Sequence, residues 1–208
     1  MTFLEVIIMK KKVILSKKPE ISFISSNIHK YQEIKVIFEH NPKIQVEHIQ
    51  KHLKEIQADN LEDIAIFSLE NLSIDSSRKY YFVEDSGLFI KSLKGFPGPY
   101  SSYVFNKLGN EGILKIMKNI DIREAYFQST IALKTNTGIF TFTGITQGQI
   151  SKKISESGWG YDPIFIIDSE YPNTLGDLGK KKDTVSHRYH ATKKLMKYLE
   201  NDPNFYKP

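Results

Sequence analysis

Five short segments hold the residues whose types and spacing can do chemistry. The first is Ser25-Ser26-Asn27-Ile28-His29-Lys30, which joins an apolar run to a helical one. Free backbone N–H groups at such a helix start, with the helix dipole, form a seat for a phosphate. Asn27 can cap the helix or contact an oxyanion, and Lys30 can set an ammonium over the same anion; an ordinary N-cap beside a surface lysine uses the same residues. The second segment is Val83-Glu84-Asp85-Ser86-Gly87-Leu88, where an apolar strand is expected to end in two carboxylates and turn through Gly87. Neighbours on a regular strand face opposite ways, but at a turning end both acids can reach one pocket. There they suit Mg2+, or divide into a ligand and a base; a solvated turn is the alternative.

The third segment, Gly158-Trp159-Gly160-Tyr161-Asp162-Pro163, sets the single tryptophan between two glycines. Glycines let a backbone approach a flat ligand, aromatic rings stack on nucleobases, and a carboxylate can accept a hydrogen bond from a base edge. An aromatic core plug beside a tight turn is the alternative. The fourth, Lys182-Asp183-Thr184-Val185-Ser186-His187-Arg188, leads into the last helix with Ser186 as its N-cap. His187 and Arg188 then oppose the dipole in the first turn, where stability alone favours acids. Such a local violation points to a polar or anionic ligand, with Lys182 as a further donor, against the plainer reading of a basic surface patch. The fifth, Gly95-Phe96-Pro97-Gly98-Pro99-Tyr100-Ser101-Ser102, is a stiff loop expected to hold the acidic segment in shape. Glu55, ahead of a second helix, supplies one more acid.

The elements that must position these segments follow from periodicity. Strands are expected at 21–25, 44–49, 80–83, 125–133, 139–145 and 164–167. Helices are expected at 28–39, from Asn60 with Asp63 as capping partner, at 107–118, and at 186–199. In these helices Ile34, Ile37 and Phe38, then Leu61, Ile64, Ala65 and Leu72, then Leu108, Ile113, Ile116 and Met117, then Ala191, Leu195 and Leu199 form the apolar faces. Thr135-Asn136-Thr137-Gly138 reads as a hairpin turn. Strands and helices alternate at first and strands cluster later, which argues a mixed α/β sheet.

Composition narrows the class. The 208 residues fit one domain, and 40% hydrophobic with 25% charged residues excludes wholesale disorder. No cysteine is present, so disulfides, thiolate metal sites and a cysteine nucleophile are excluded. A net charge of +5 suits an anionic ligand but is too small and dispersed for nucleic-acid binding. The N-terminal apolar run holds Glu5 and precedes its basic cluster, Lys10-Lys11-Lys12, the reverse of a secretory signal. The chain reads as an intracellular, cytoplasmic protein without a membrane span, with residues 1–20 as an N-terminal extension before a single domain over 21–208.

In order and spacing, these segments resemble the inosine triphosphate pyrophosphatase, or Ham1-like, family across about residues 21–200. The resemblance rests on Ser26-Asn27-x-x-Lys30-x-x-Glu33, Glu55-Ile56-Gln57, Glu84-Asp85-Ser86-Gly87-Leu88, Gly95-Phe96-Pro97-Gly98-Pro99-Tyr100, Gly160-Tyr161-Asp162-Pro163-Ile164-Phe165 and Ser186-His187-Arg188. It implies an elongated mixed sheet with flanking helices, two lobes and a central nucleotide-binding cleft, in a homodimer. It also implies Mg2+-dependent hydrolysis of ITP, dITP or XTP to the monophosphate and pyrophosphate, with Mn2+ as a possible substitute metal. Carried over, Ser25, Ser26, Asn27, Ile28, His29 and Lys30 would hold the triphosphate, and Glu55, Glu84 and Asp85 the metal. Asp85 would be the base or water-orienting group, and Ser86 would touch phosphate or sugar. Trp159, Gly160, Tyr161 and Asp162 would hold the base, and Lys182, His187 and Arg188 would read its edge. Trp159 stands where the family usually has phenylalanine, and Ser68 and Ser102 where many members have lysine. Two rival readings are a Maf-like nucleotide pyrophosphatase, against which Ser186-His187-Arg188 argues, and a non-catalytic nucleic-acid-binding module, in which Glu84 and Asp85 would sit badly beside a phosphate backbone.

Overall fold

The computed structural model describes residues 18–75, 78–167 and 172–206. Most of the expected N-terminal extension therefore lies outside the described residues, and Glu20 already belongs to the first strand. That strand, β1 (Glu20–Ile24), is buried at four of its five positions, because it has parallel neighbours on both edges. Helix α1 (Ile28–Glu39) occupies its expected bounds: the Asn27 side chain accepts from the N–H groups of His29 and Lys30, and Ile34, Ile37 and Phe38 face the core. Strand β2 (Gln45–Ile49) pairs parallel to β1. Helix α2 (Leu61–Glu70) starts at the Asn60 cap, which accepts from Asp63 N–H.

Strand β3 (Tyr81–Ile90) is followed by the two-residue strand β4 (Pro97–Gly98) and by helix α3 (Ser101–Ile116). The hairpin of β5 (Glu124–Lys134) and β6 (Ile139–Ile150) turns where expected. Strand β7 (Phe165–Ile166) and helix α4 (His187–Asn201) close the chain, α4 being capped by Ser186. The strands form one sheet of order β2-β1-β3-β5-β6-β7, with β4 on β3; the β2-β1-β3 pairs are parallel and the others antiparallel. This is the expected mixed α/β class.

Alternation along the strands separates the cores. Phe23, Phe82, Ile131 and Leu133 meet α1 and α4 on one face, while Ile24, Val83 and Ala132 meet Ala65 and Leu69 of α2 on the other. Farther along the sheet, Leu88, Ile90, Phe127 and Phe165 pack with Val104 and Ile113 of α3 and with Met117 just after it.

Two expectations fail locally. Strand β3 does not end at the acids: it runs on to Ile90, paired with β5 throughout. Helix α3 begins at Ser101, and its expected apolar positions Leu108 and Ile116 are 46% and 40% exposed. The cause is Gly109, whose φ of 60° and ψ of −169° interrupt the helix, so that one apolar stripe cannot continue through it.

Gly144 of β6 fixes the seat of α4. A Cβ there would lie 2.2 Å from the carbonyl oxygen of His187 and 2.3 Å from the Ala191 nitrogen, both backbone atoms. We expect Gly144→Ala to push the start of α4 off the sheet and cost about 1–3 kcal/mol. Urea denaturation checks this, and an unchanged midpoint would contradict the packing described.

Candidate active site

The site is built on an interruption in the sheet. The first part of β3 pairs with β1 (Phe23 with Phe82), and its last part pairs with β4 (Leu88 with Gly98). Residues 84–87 between them have a strand partner only on the β5 side. The open edge lets side chains reach β3 from the flank. Lys30, from the first turn of α1, places Nζ 2.9 Å from Glu84 Oε2 and 3.8 Å from Asp85 Oδ1. Both acids reach one cavity for that reason, although the strand keeps its alternation and does not turn. Gly87 is required where β4 crosses: a Cβ would lie 2.3 Å from the Gly98 carbonyl oxygen. The loop expected to brace the acidic segment does so through this contact and through Ser101 Oγ, which accepts from Leu88 N–H and donates to the Gly98 carbonyl.

A chain of ion pairs runs along the cavity wall. Glu84 bridges Lys30 to Arg188 Nη2, at 3.2 Å, and accepts from Ser129 Oγ at 2.6 Å. Arg188, 1% exposed, continues to Glu33 and also donates to Ser86 Oγ at 3.0 Å. Glu33 in turn holds Lys182 and accepts the Trp159 indole N–H at 2.7 Å, and Lys182 reaches Asp162 at 2.5 Å. Burial opposes the charge on Glu33, yet Arg188 and Lys182 hold its pKa at about 2. Burial likewise opposes the charge on Glu84, and Arg188 and Lys30 prevail, keeping it well below the carboxylate range. Asp85 goes the other way. Burial pushes it up to about 6, Lys30 pulls against this, and the neighbouring charges of Glu84 and Glu55 add to the rise.

The cavity measures about 540 Å³, within the size range of small-molecule sites. On its wall are Ser25, Ser26, Asn27 and Lys30 from the β1–α1 junction, Glu84, Asp85 and Ser86 from β3, and Glu55 from the loop before α2. Trp159, Gly160, Tyr161 and Asp162 face them with His187 and Arg188. His187 stacks on Phe127 at 4.6 Å, and burial, then Arg188, holds it well below its ordinary pKa, so its ring is neutral. His187 Nδ1 and Arg188 Nε are buried without a hydrogen-bond partner, as atoms reserved for a ligand would be.

Three expected residues are not on the wall. Ile28 points to solvent, the His29 ring stacks on Trp159 at 5.3 Å, and Lys182 is spent on Glu33 and Asp162 behind the wall. Tyr161 is mainly support: its hydroxyl donates to the Ser101 carbonyl and its ring stands edge-on to Phe105. Ser68 donates to the Lys54 carbonyl away from the cavity, whereas Ser102 lines it. Sequence reasoning assigned no role to Glu33, although its place three residues after Lys30 puts both on one helix face. Phe127 and Ser129 had no signal, because only the β3–β5 register brings them here.

The residues fit a hard divalent cation in part. Among the described residues, no three His, Asp or Glu side chains are gathered closely enough to cage a metal. Asp85 and Glu55 both line the cavity, and the Glu55 charge adds to the cost of ionising Asp85, which suits a cation held by one or two carboxylates, water and phosphate oxygens. Glu84 departs from the expected trio, since Lys30, Arg188 and Ser129 already occupy its carboxylate.

The raised pKa of Asp85 has a stability consequence. Above about pH 6 the folded protein carries a carboxylate that the unfolded chain ionises more easily, so Asp85 destabilises the fold there; below about pH 4, where it is protonated in both states, the penalty vanishes. In metal-free buffer we expect Asp85→Asn to melt at a higher temperature than the parent at pH 8, with the advantage gone by pH 4. Thermal denaturation across that range checks the sign.

Comparison with known proteins agrees with this geometry. The model of the Ham1 family matches residues 21–198. A Korarchaeum cryptofilum protein named dITP/XTP pyrophosphatase is 44% identical over 177 residues, covering 85% of this chain and 94% of its own. Its namesake from Pyrococcus horikoshii is 40% identical over 182 residues, covering 87% and 97%. The structure of the Staphylococcus aureus Ham1 protein superposes with a TM-score of 0.70 at 28% identity, over 86% of this chain and 98% of that one. With a family match across most of its length and an interrupted sheet that gathers the family's motifs around one cavity, this chain belongs to the Ham1 family.

Proposed function

We propose that the protein hydrolyses non-standard purine nucleoside triphosphates, ITP, dITP and XTP, to the monophosphate and pyrophosphate, and so cleans the nucleotide pool. The observation that carries this reading is a single cavity walled by Lys30, Asp85, Arg188 and Trp159 together, with the helix start at Asn27 opening into it. The names of the relatives described above support the substrate class.

The triphosphate lies on the β1–α1 junction, where backbone N–H groups and the Lys30 ammonium take its charge. A divalent cation such as Mg2+ or Mn2+, held by Asp85 and Glu55, would supply charge neutralisation and polarise the phosphoryl oxygens. Asp85 orients a water and accepts its proton as the water oxygen attacks the α-phosphorus. Pyrophosphate leaves from the opposite side. Positioning and charge stabilisation do most of the work. Glu84 tunes this step from behind, since it holds Lys30 beside Asp85.

The base lies near Trp159, with His187 Nδ1 and Arg188 Nε as the buried hydrogen-bonding atoms left without a partner. A donor at that edge satisfies a 6-oxo group and leaves the adenine amine unpaired, a mismatch that discriminates strongly when buried. The proposal includes one domain of two lobes over residues 21–208, a homodimer, and action in the cytoplasm without stable contact to nucleic acid or membrane.

With Mg2+ present, pyrophosphate release from ITP, dITP and XTP is expected to exceed that from ATP, GTP and dUTP, and EDTA to abolish it. Preference for dUTP would favour the Maf-like reading, and orthophosphate as product would mean attack at the γ-phosphorus and overturn the proposal. Asp85→Asn is expected to lower kcat for ITP at least about 10²-fold. A folded Asp85→Asn protein with the parent rate would remove Asp85 from its role.

A further inference from the structure

Outside the motifs, one histidine is connected to the phosphate seat. His48, on β2, places Nε2 2.9 Å from the carbonyl oxygen of Ser25, the last residue before the seat turns into α1. A carbonyl only accepts, so Nε2 carries the proton. The imidazole is held between rings: Tyr31 of α1 stacks on it at 4.3 Å and 11°, and Phe23 of β1 lies 6.2 Å away at 25°. Lys51 N–H approaches the same carbonyl at 3.4 Å. In a trans peptide the C=O and the following N–H point in opposite directions. Two donors that fix the Ser25 carbonyl toward β2 therefore aim the Ser26 N–H away from β2. That N–H has no hydrogen-bond partner among the described residues, and both Ser25 and Ser26 line the cavity.

We propose that His48 is a positioning residue for anion binding: by holding the Ser25 carbonyl, it presents the Ser26 N–H to a phosphate oxygen of the substrate. This inference rests on the proposed triphosphate site but not on base preference or hydrolysis. Side chains on the seat, Lys30 and Asn27, do their work without it. What His48 adds is the orientation of one peptide plane, and Tyr31 couples that plane to the helix that carries Lys30.

The test uses inorganic tripolyphosphate, which carries the anion and no base. His48→Phe keeps a ring for Tyr31 and removes the donor, whereas His48→Gln restores an N–H donor without the ring. Calorimetric titration of the folded proteins is expected to show about tenfold weaker binding for His48→Phe, the scale of one charge-assisted hydrogen bond, and recovery to within about threefold for His48→Gln. In the parent protein the Ser26 amide proton should shift downfield on titration with tripolyphosphate. Parent-like affinity in His48→Phe overturns the proposal, as does an unmoved Ser26 amide, which decides the matter if His48→Phe does not fold. Weakening in His48→Gln alone means that His48 acts only through the stack and overturns it too, as does equal weakening in both variants, in which the restored donor rescues nothing. A protein that binds tripolyphosphate in this His48-dependent way but releases no pyrophosphate from ITP would refute the proposed activity and leave this inference standing.

Discussion

The structure depends on keeping one guanidinium charged out of water. Arg188 is 1% exposed, and burying such an ion costs several kcal/mol before any partner is counted. Glu33, partly buried, and Glu84, fully buried, offset that cost, and each draws in a second cation, Lys182 and Lys30 respectively. The chain of pairs therefore extends until it meets the cavity at Asp85 and Asp162. Its members come from five stretches: Lys30 and Glu33 from α1, Glu84 and Asp85 from β3, Asp162 from the Trp159 loop, Lys182 from the turn before α4 and Arg188 from the start of α4. Removing one partner strands a charge, so the walls of the cavity are held in register by electrostatics as much as by packing.

That network needs a place where side chains can cross a sheet edge. Strand β3 is paired on both sides only toward its two ends, at Tyr81 and Phe82 and at Leu88 and Phe89, and Lys30 could not reach a paired edge. The sheet leaves residues 84–87 open between β1 and β4, and the same opening is the cavity. At one end of it Gly87 meets Gly98 with no room for a methyl group, as Gly144 does where α4 crosses β6. Packing thus sets the width of the opening, and charge fills it. Asp85 keeps a raised pKa although Lys30 stands 3.8 Å away, because burial and the charges of Glu84 and Glu55 outweigh it, which is the state a water-activating group requires.

Much of this was legible along the chain. The Asn27 and Asn60 caps, the bounds of α1, the β5–β6 hairpin and the Ser186 cap are local features, decided by a few neighbouring residues, and they stand where the sequence puts them. The five chemical segments also meet at one cavity, although Ile28, His29 and Lys182 stand off its wall. The misreadings are of two kinds. Glu84-Asp85-Ser86-Gly87 has the composition of a turn, yet it is strand, because ten ladder positions on β5 outweigh local preference. The apolar face of α3 was extended through Gly109, where a positive φ breaks the period on which the reading rested.

The sequence by itself determined which residues can do chemistry and, through periodicity and caps, the elements that bear them; those are short-range matters of side-chain type and backbone preference. Only the tertiary structure decided which carboxylate stays free. Glu84 and Asp85 are adjacent and chemically alike, but alternation on β3 buries one between Lys30 and Arg188 and turns the other toward Glu55 and the open cavity. The distinction depends on Lys30, Arg188 and Glu55, all distant along the chain, and Coulomb energies follow distance in space, not position along the chain.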